Sequence, residues 1–322
     1  MIVYARRASA LLFNLLRHWR DPRPFLLPAN VCPVVPLTFL KAGQPFQLLD
    51  IDAVDLGLDR VACRRRLEDD PERYAGVLYV RPYGAVDDLS PFLRSLRGVR
   101  PDLLIVDDRC LCAPDFDGDG LEPEADAILY STGRAKPVDV GWGGFAHLRQ
   151  GVGYSETALG FELGALRAVE AAYKAAIAER RPFEGDGGDW LDNRQPEVAW
   201  EDYRQAALEQ RRLVGDHRQR LNWIYAQGLP DSIQLSERFH GWRFQVRVPH
   251  PQELLERLRA EGLFASRHYA SLGRGIFADG AYIRAEALAA EIVNLFNDHH
   301  FTQTQAERTV EVILGHLRNR EV

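Results

Sequence analysis

Only three of the forty basic residues in this chain are lysines, Lys41, Lys136 and Lys174; the other thirty-seven are arginines. Arginine serves surface electrostatics as well as lysine does. It keeps its proton, however, and cannot supply a neutral amine to attack a carbonyl. Each lysine is therefore a candidate nucleophile. Lys41 closes a helical pattern, where a cation complements the helix dipole, and Lys174 falls within an amphipathic helix with its ammonium in water. Lys136 is different. It lies in Tyr130-Ser-Thr-Gly-Arg-Ala-Lys-Pro-Val-Asp-Val-Gly-Trp-Gly-Gly-Phe145, after an apolar strand pattern and before Gly141, Gly143 and Gly144. Glycines let the backbone approach a ligand closely, and hydroxyl residues after a strand offer donors to a phosphate. The Gly-x4-Gly-Lys-Ser/Thr spacing of a P-loop is absent. A Gly-rich hairpin with an exposed lysine fits the local sequence equally well.

The second candidate is Asp107-Asp108, which closes the apolar run Leu103-Leu104-Ile105-Val106. A carboxylate at the C-terminal edge of a parallel strand sits where open α/β sheets bind ligands, although acids there also cap following helices. Adjacent strand residues point to opposite faces, so only one of the two acids can face the site. Lys136 follows one strand further along. A carboxylate set against a pyridinium nitrogen, with a lysine able to form a Schiff base, is the arrangement that pyridoxal phosphate requires. Among the remaining polar residues, His299-His300 has no partner carboxylate at ligand spacing, and Cys110 and Cys112 have no second cluster, so no metal site is expected. His268 and Trp142 are secondary candidates for the lining of the site.

Positioning these groups requires a sheet. Residues 25–27, 45–51, 77–80, 103–106 and 127–130 read as strands without polar alternation. The segments 8–19, 33–42 and 87–96 read as helices. Such strands, separated by helices, mean a parallel sheet covered on both faces. Long helices follow at 157–181 and 200–227, with a Gly- and Asp-rich loop at 182–197 between them. Then the pattern becomes strand 242–248, helix 251–261, strand 263–268 and a helix at 304–317. The fold expected is α/β: a mostly parallel-sheet large domain over residues 1–190 and a smaller α+β C-terminal domain over residues 191–322.

Composition narrows the function. The chain has 322 residues and a net charge of −6, which argues against nucleic-acid binding, where phosphate contacts need a basic surplus. No apolar run approaches the roughly 20 residues of a membrane span. The N-terminal stretch lacks the long apolar core of a secretory signal, and four cysteines make no disulfide framework. A cytoplasmic protein is expected.

The sequence resembles the DegT/DnrJ/EryC1/StrS family of pyridoxal-phosphate-dependent (fold type I) sugar aminotransferases over nearly its whole length. Leu27-Pro-Ala-Asn-Val-Cys-Pro33, the Lys41-Ala-Gly-Gln-Pro-Phe46 turn and Leu49-Asp-Ile-Asp52 are similar to the family's opening strand and loop. Val80-Arg-Pro-Tyr-Gly84 with Asp88 matches its Tyr-Gly-x3-Asp segment. Leu104-Ile-Val-Asp-Asp108 matches the strand whose last Asp pairs with the cofactor ring, and the Lys136 loop matches its Ser-x4-Lys motif. Gly262-Leu-Phe-Ala-Ser-Arg-His-Tyr269 resembles the penultimate strand.

The resemblance implies pyridoxal 5'-phosphate as cofactor, with Lys136 as the Schiff-base lysine, Asp108 on the pyridine nitrogen and Ser131 on the phosphate. It places Cys32 against the ring face, and Arg7 and Ala8 at a helix N-terminal phosphate site. The activity implied moves an amino group from an amino-acid donor to a keto acceptor such as a nucleotide-linked keto-sugar. A homodimer is implied as well. Two positions depart from the family pattern: Leu111 stands where Gln or His is usual, and Gly153-Tyr154-Ser155 where Asn-Tyr-Arg is usual. These departures keep open a second reading, a regulatory protein that retained the fold, and a third, another pyridoxal reaction such as dehydration.

Overall fold

The computed structural model describes residues 1–185 and 188–318. The chain opens with β1 (Ile2–Ala5), α1 (Ala8–Trp19), β2 (Phe25–Pro28), α2 (Val34–Ala42), β3 (Phe46–Leu49) and α3 (Arg60–Asp69). It continues through β4 (Gly76–Val80), α4 (Ser90–Val99), β5 (Leu104–Asp108), β6 (Ala127–Ser131) and β7 (Gly144–Leu148). Two long helices follow, α5 (Leu163–Glu179) and α6 (Trp200–Gly228). The remainder is β8 (Phe244–Arg247), α7 (Pro251–Ala260), β9 (Ala265–Ser266), α8 (Ile283–Glu291), β10 (Ile292–Leu295) and α9 (Gln303–Arg318).

Seven strands form one sheet in the order β1-β7-β6-β5-β4-β2-β3. The run from β3 to β6 is parallel, as the unbroken apolar strands predict, while β7 runs antiparallel between β6 and the edge strand β1. After β2 the chain moves outward to β3, and after β4 it moves the other way to β5. That reversal opens a crevice at the C-terminal strand ends, the place where open α/β sheets bind ligands.

Each face of the sheet has its own core. Leu104, Val106 and Leu129 pack on one side with Leu27, Ala29 and residues of α1 and α2. Ile105, Ile128, Tyr130 and Phe145 pack on the other with Leu93, Leu96 and Tyr203. A third core surrounds the small antiparallel sheet β8-β10-β9. Helix α6 serves two of these cores: Tyr203 and Ala207 face the large sheet, and Leu221 and Tyr225 face the small one.

Several elements differ from the sequence pattern. Helix α3 is too polar to show a period, since only Cys63 and Leu67 are buried along it. The segment read as a trailing Gly loop continues into strand β7. Helix α4 begins at Ser90 because Asp88 accepts the Ser90 amide at 2.9 Å, an arrangement that stops backward extension. Helix α5 begins at Leu163, well after residue 157, because the Thr157 backbone is held by side chains: its amide reaches Asn14 Oδ1 at 3.2 Å and its carbonyl accepts Asn193 Nδ2. Strand β9 is only two residues long, and α8 and β10 carried no distinct sequence signal. Part of the Gly- and Asp-rich loop, residues 186–187, lies outside the described residues.

Candidate active site

Five segments meet at the C-terminal ends of the parallel strands. Cys32 follows β2, Tyr83 follows β4, Asp108 ends β5, Ser131 ends β6 and Lys136 lies in the loop after it. That loop is pinned along its length. Asp139 accepts the amides of Ala135 at 2.7 Å and Gly141 at 2.8 Å. Trp242 Nε1 donates to the Ala135 carbonyl at 2.6 Å, and Arg218 Nη2 donates to the Pro137 carbonyl at 2.8 Å. The backbone around Lys136 is thus held by three side chains. The Lys136 ammonium has no ion pair or hydrogen bond among the described residues.

The two adjacent acids part company as strand alternation requires. Asp108 lies on the face of Val106 and Leu129. Its Oδ1 accepts the Cys110 amide at 2.9 Å. Burial raises its carboxyl above the usual range, opposed by that hydrogen bond and by the Lys136 ammonium. Asp107 lies on the opposite face and is fully committed. Arg81 grips it with Nε and Nη2, both at 2.9 Å, and Arg109 Nε reaches it at 2.8 Å. Glu122 accepts Arg81 Nη2 at 2.9 Å and completes a buried network with two cations and two anions. With both faces of its charge neutralised, Asp107 has nothing left for a ligand.

Ser131, 6 % exposed, shares the Asp108 face, two residues past Leu129, the register partner of Asp108. It is paired with Gly144, and a Cβ at Gly144 would lie only 2.7 Å from the Ala8 amide nitrogen. The absence of a side chain there lets the start of α1 sit beside the end of β6. Arg7 is the N-cap, extended and without a side-chain cap, and the Ala10 amide is the first to turn back, onto the Arg7 carbonyl at 3.0 Å. The amides of Ala8 and Ser9 have no backbone acceptor outside the helix ladder among the described residues. Exposed N–H groups and the positive dipole end make a helix start of this kind a receptor for phosphate.

The Cys32 thiol is pushed up by burial, and it lies within electrostatic reach of Lys136 and Asp108. Sequence reasoning placed Lys136, Asp108, Ser131, Cys32, Arg7 and Ala8 as site residues, and the fold brings them to one end of one sheet face.

Other residues close the site, and sequence reasoning missed most of them. Tyr83 adopts a left-handed backbone at φ 52°, a conformation that costs energy in a residue with a side chain. It lets the Tyr83 hydroxyl donate to the His268 carbonyl at 2.8 Å. Tyr269 is raised well above its usual range, by burial first and then by the neighbouring Cys32 and Asp108. His268 is held down to about 4, by burial first and Arg243 second, and is neutral at pH 7. Tyr83 and Tyr269 fall within segments that resemble the family, but nothing in the sequence marks either of them or Trp242 as lining the site. A cavity of about 580 Å³ adjoins Tyr269 and is otherwise lined by residues such as Ile177, Arg267, Ser271 and Ile276, none of them from the Lys136 cluster.

One secondary expectation needs correction. Trp142 does not line the site, because its ring packs against Tyr203 with centroids 5.0 Å apart, in the core of the opposite sheet face. The Gly153-Tyr154-Ser155 segment turns onto its own chain: Asn14 Nδ2 donates to the Tyr154 hydroxyl at 3.0 Å, and His18 Nδ1 pairs with Ser155 Oγ at 3.2 Å.

The chain combines a seven-stranded, mostly parallel sheet with a separate three-stranded antiparallel sheet, and its fold is similar to that of a solved structure described as a PLP-dependent aminotransferase from Bacillus cereus, with a TM-score of 0.68 at 17% identity, covering 97% of this chain and 85% of that one. Other solved structures of aminotransferases share this fold. The aminotransferase TlmJ from Streptoalloteichus hindustanus superposes with a TM-score of 0.70 at 18% identity, covering 99% of this chain and 86% of that one. DesI, solved in the presence of its TDP-sugar product, gives a TM-score of 0.71 at 17% identity, covering 99% and 81%. A DegT DnrJ EryC1 StrS aminotransferase from Brucella abortus gives 0.65 at 17% identity, covering 98% and 85%. At such identities the likeness establishes the fold. No family model and no curated protein matches the sequence.

Proposed function

We propose that this protein is a pyridoxal-phosphate-dependent aminotransferase that moves an amino group from an amino-acid donor to a keto acceptor, of which a nucleotide-linked keto-sugar is the class favoured. One observation carries the reading. An amine without an ion pair, Lys136, and a desolvated carboxylate, Asp108, face the same crevice, beside a hydroxyl and an uncapped helix start. These residues fit the cofactor group by group. Ser131 Oγ and the Ala8 and Ser9 amides match a phosphate, Asp108 matches a cationic ring nitrogen, and Lys136 matches an aldehyde carbon.

Bound there, pyridoxal phosphate supplies an electron sink that makes the α-proton of an attached amine removable. The protein's own residues do the rest. Lys136 Nζ would hold the cofactor and would take and return the proton at the donor α-carbon as general base and acid. Asp108 would accept the ring N–H and keep that proton in place, since a buried carboxylate is stabilised by a cation placed against it. Tyr83, Trp242 and Asp139 fix the walls around the lysine. The DesI structure, described with a TDP-sugar product, supports the choice of acceptor class. A homodimer and a cytoplasmic location belong to the same proposal.

The test is direct. Purified protein supplied with pyridoxal phosphate should gain a visible absorption band, and borohydride should fix the label on Lys136 alone. Label on Lys41 or Lys174 sinks the assignment. Lys136→Arg keeps the charge but loses the nucleophile, so turnover with an amino donor should fall by about 10²-fold or more, while some cofactor binding survives.

A further inference from the structure

The cavity of about 580 Å³ lies between the C-terminal turn of α5, helices α7 and α8, and the segment 267–276. That volume is enough to enclose most of a small organic molecule. Ile177, Leu255, Ile276 and Ile292 give it an apolar wall. Its charged lining is unbalanced: Arg180, Arg267 and Arg274 stand against one acid, Glu286. Arg274 takes that acid, with Nε at 2.6 Å and Nη2 at 2.5 Å. Arg180 reaches Glu286 only at longer electrostatic range. Neither Arg180 nor Arg267 has a carboxylate within ion-pair distance among the described residues. Arg267 Nη2 donates to the Ala289 carbonyl at 2.5 Å, which occupies one of its N–H groups and leaves its charge uncompensated. Burial lowers this guanidinium from its usual range, with no acid opposing the shift.

The wall that carries Arg267 and Arg274 is fixed by the protein's own backbone. The Leu272 amide donates to the Ala29 carbonyl at 2.8 Å, the Phe183 amide to the Ile276 carbonyl at 2.9 Å, and the Arg274 amide to the Gly280 carbonyl at 2.9 Å. A wall already in place spares a ligand the cost of ordering it. Ser271 Oγ, on the same segment, is buried without a hydrogen-bond partner among the described residues. Such groups are the exception in folded proteins, and a water or ligand oxygen commonly satisfies them.

We propose that this cavity is a binding site, separate from the Lys136 crevice, for a small organic anion with an apolar body and one carboxylate. The body packs on Ile177, Leu255, Ile276 and Ile292, and the carboxylate meets Arg267 and Arg180. Apolar burial supplies affinity, and the guanidiniums select the charge, because a planar carboxylate accepts their parallel N–H groups. A cationic ligand would add to the excess of positive charge and be repelled. No cofactor takes part, so the site does not rest on the aminotransferase reading.

The probe is 2-naphthoate, titrated calorimetrically into the full chain, first alone and then with pyridoxal phosphate present. Wild type should bind it equally in both. 2-Naphthamide, which has the shape without the charge, and acetate, which has the charge without the body, should each bind at least about tenfold more weakly. Arg267→Met should weaken 2-naphthoate about tenfold. Ala178→Glu sets an anion on the lining and should weaken it further. Both positions are exposed, so the unfolding midpoint in denaturant should stay constant. Arg65→Met, on α3 and outside the lining, removes the same charge and should change nothing.

The proposal is overturned by no binding of 2-naphthoate to wild type, by equal affinity for 2-naphthamide, or by affinity indifferent to Arg267→Met and Ala178→Glu. Competition between 2-naphthoate and pyridoxal phosphate also overturns it, since the anion would then sit in the Lys136 crevice. Failure of the aminotransferase reading looks different. A protein that takes up no pyridoxal phosphate, yet binds 2-naphthoate through Arg267, keeps this site and loses that activity.

Discussion

Asp107 and Asp108 are chemically identical neighbours, and their surroundings give them different work. Asp107 neutralises Arg81 and Arg109 in a buried network. Removing its charge leaves two guanidiniums undercompensated, which costs about 3–5 kcal/mol when one partner of a buried pair is lost. Asp107→Asn should therefore lower the unfolding midpoint in denaturant strongly. Asp108 has no arginine, and its burial already disfavours the charged form, so Asp108→Asn should leave the midpoint nearly unchanged. Its cost should appear in turnover, at about 10²-fold or more, the size of loss typical for one electrostatic group at a reacting centre. Turnover measured beside denaturant unfolding separates the two. Comparable effects of both variants on both measurements would show that the faces were assigned wrongly.

At the scale of elements, the proposed phosphate end of the site depends on how closely α1 approaches β6 and β7. Gly144 is what allows it. A Cβ there would lie 2.7 Å from the Ala8 nitrogen and 2.8 Å from the Tyr130 carbonyl oxygen. Both are backbone atoms that no rotamer change can move. Gly144→Ala must push the helix start away from Ser131, at a cost of roughly 1–3 kcal/mol for overpacking. The dissociation constant for pyridoxal phosphate, followed by absorbance, should rise about tenfold or more, because the Ala8 and Ser9 amides lose their aim. Gly98→Ala is a fair control, since nothing lies within 4 Å of a Cβ at that position. Unchanged affinity in Gly144→Ala would remove the α1 N-terminus from the cofactor site.

At the scale of the whole molecule, α5 and α6 leave apolar surface uncovered. Leu213 and Trp223 on α6 are 66% and 65% exposed, and Leu163 at the start of α5 is 52% exposed. A closed symmetric dimer is the commonest way to cover such surface, and an obligate one buries about 2,000 Å² or more. Light scattering at micromolar concentration should give twice 36.5 kDa, and Trp223→Asp should shift the population towards the monomer. A wild-type monomer that binds cofactor fully would refute the dimer. Tyr154 and Ser155 are bonded to α1 of their own chain.

Residue types and local spacing made Lys136 and the Asp107-Asp108 pair candidates, and the family resemblance added Ser131 and the choice of Asp108. A lysine is hard to replace where an amine must attack, and the apolar strands that carry these residues show a periodicity set by local geometry. The parallel order of the inner strands was legible for the same reason, because strands buried on both faces lose their polar alternation. The helix α3, the strand β7 and the α8–β10 pair were not, being short or polar and stabilised by neighbours distant in the chain. The fates of Asp107, Trp142 and Tyr154 were likewise decided by tertiary structure. Each depends on partners brought close only by the sheet order and the chain's crossings: Arg81 and Glu122 for the first, Tyr203 for the second, Asn14 for the third. Arg243 is the clearest case. In sequence it is one arginine among thirty-seven. Only the folded chain shows it 5% exposed, beside the Trp242 and Phe296 rings and with no carboxylate at ion-pair distance among the described residues, because burial is a property of the packed chain and not of local spacing.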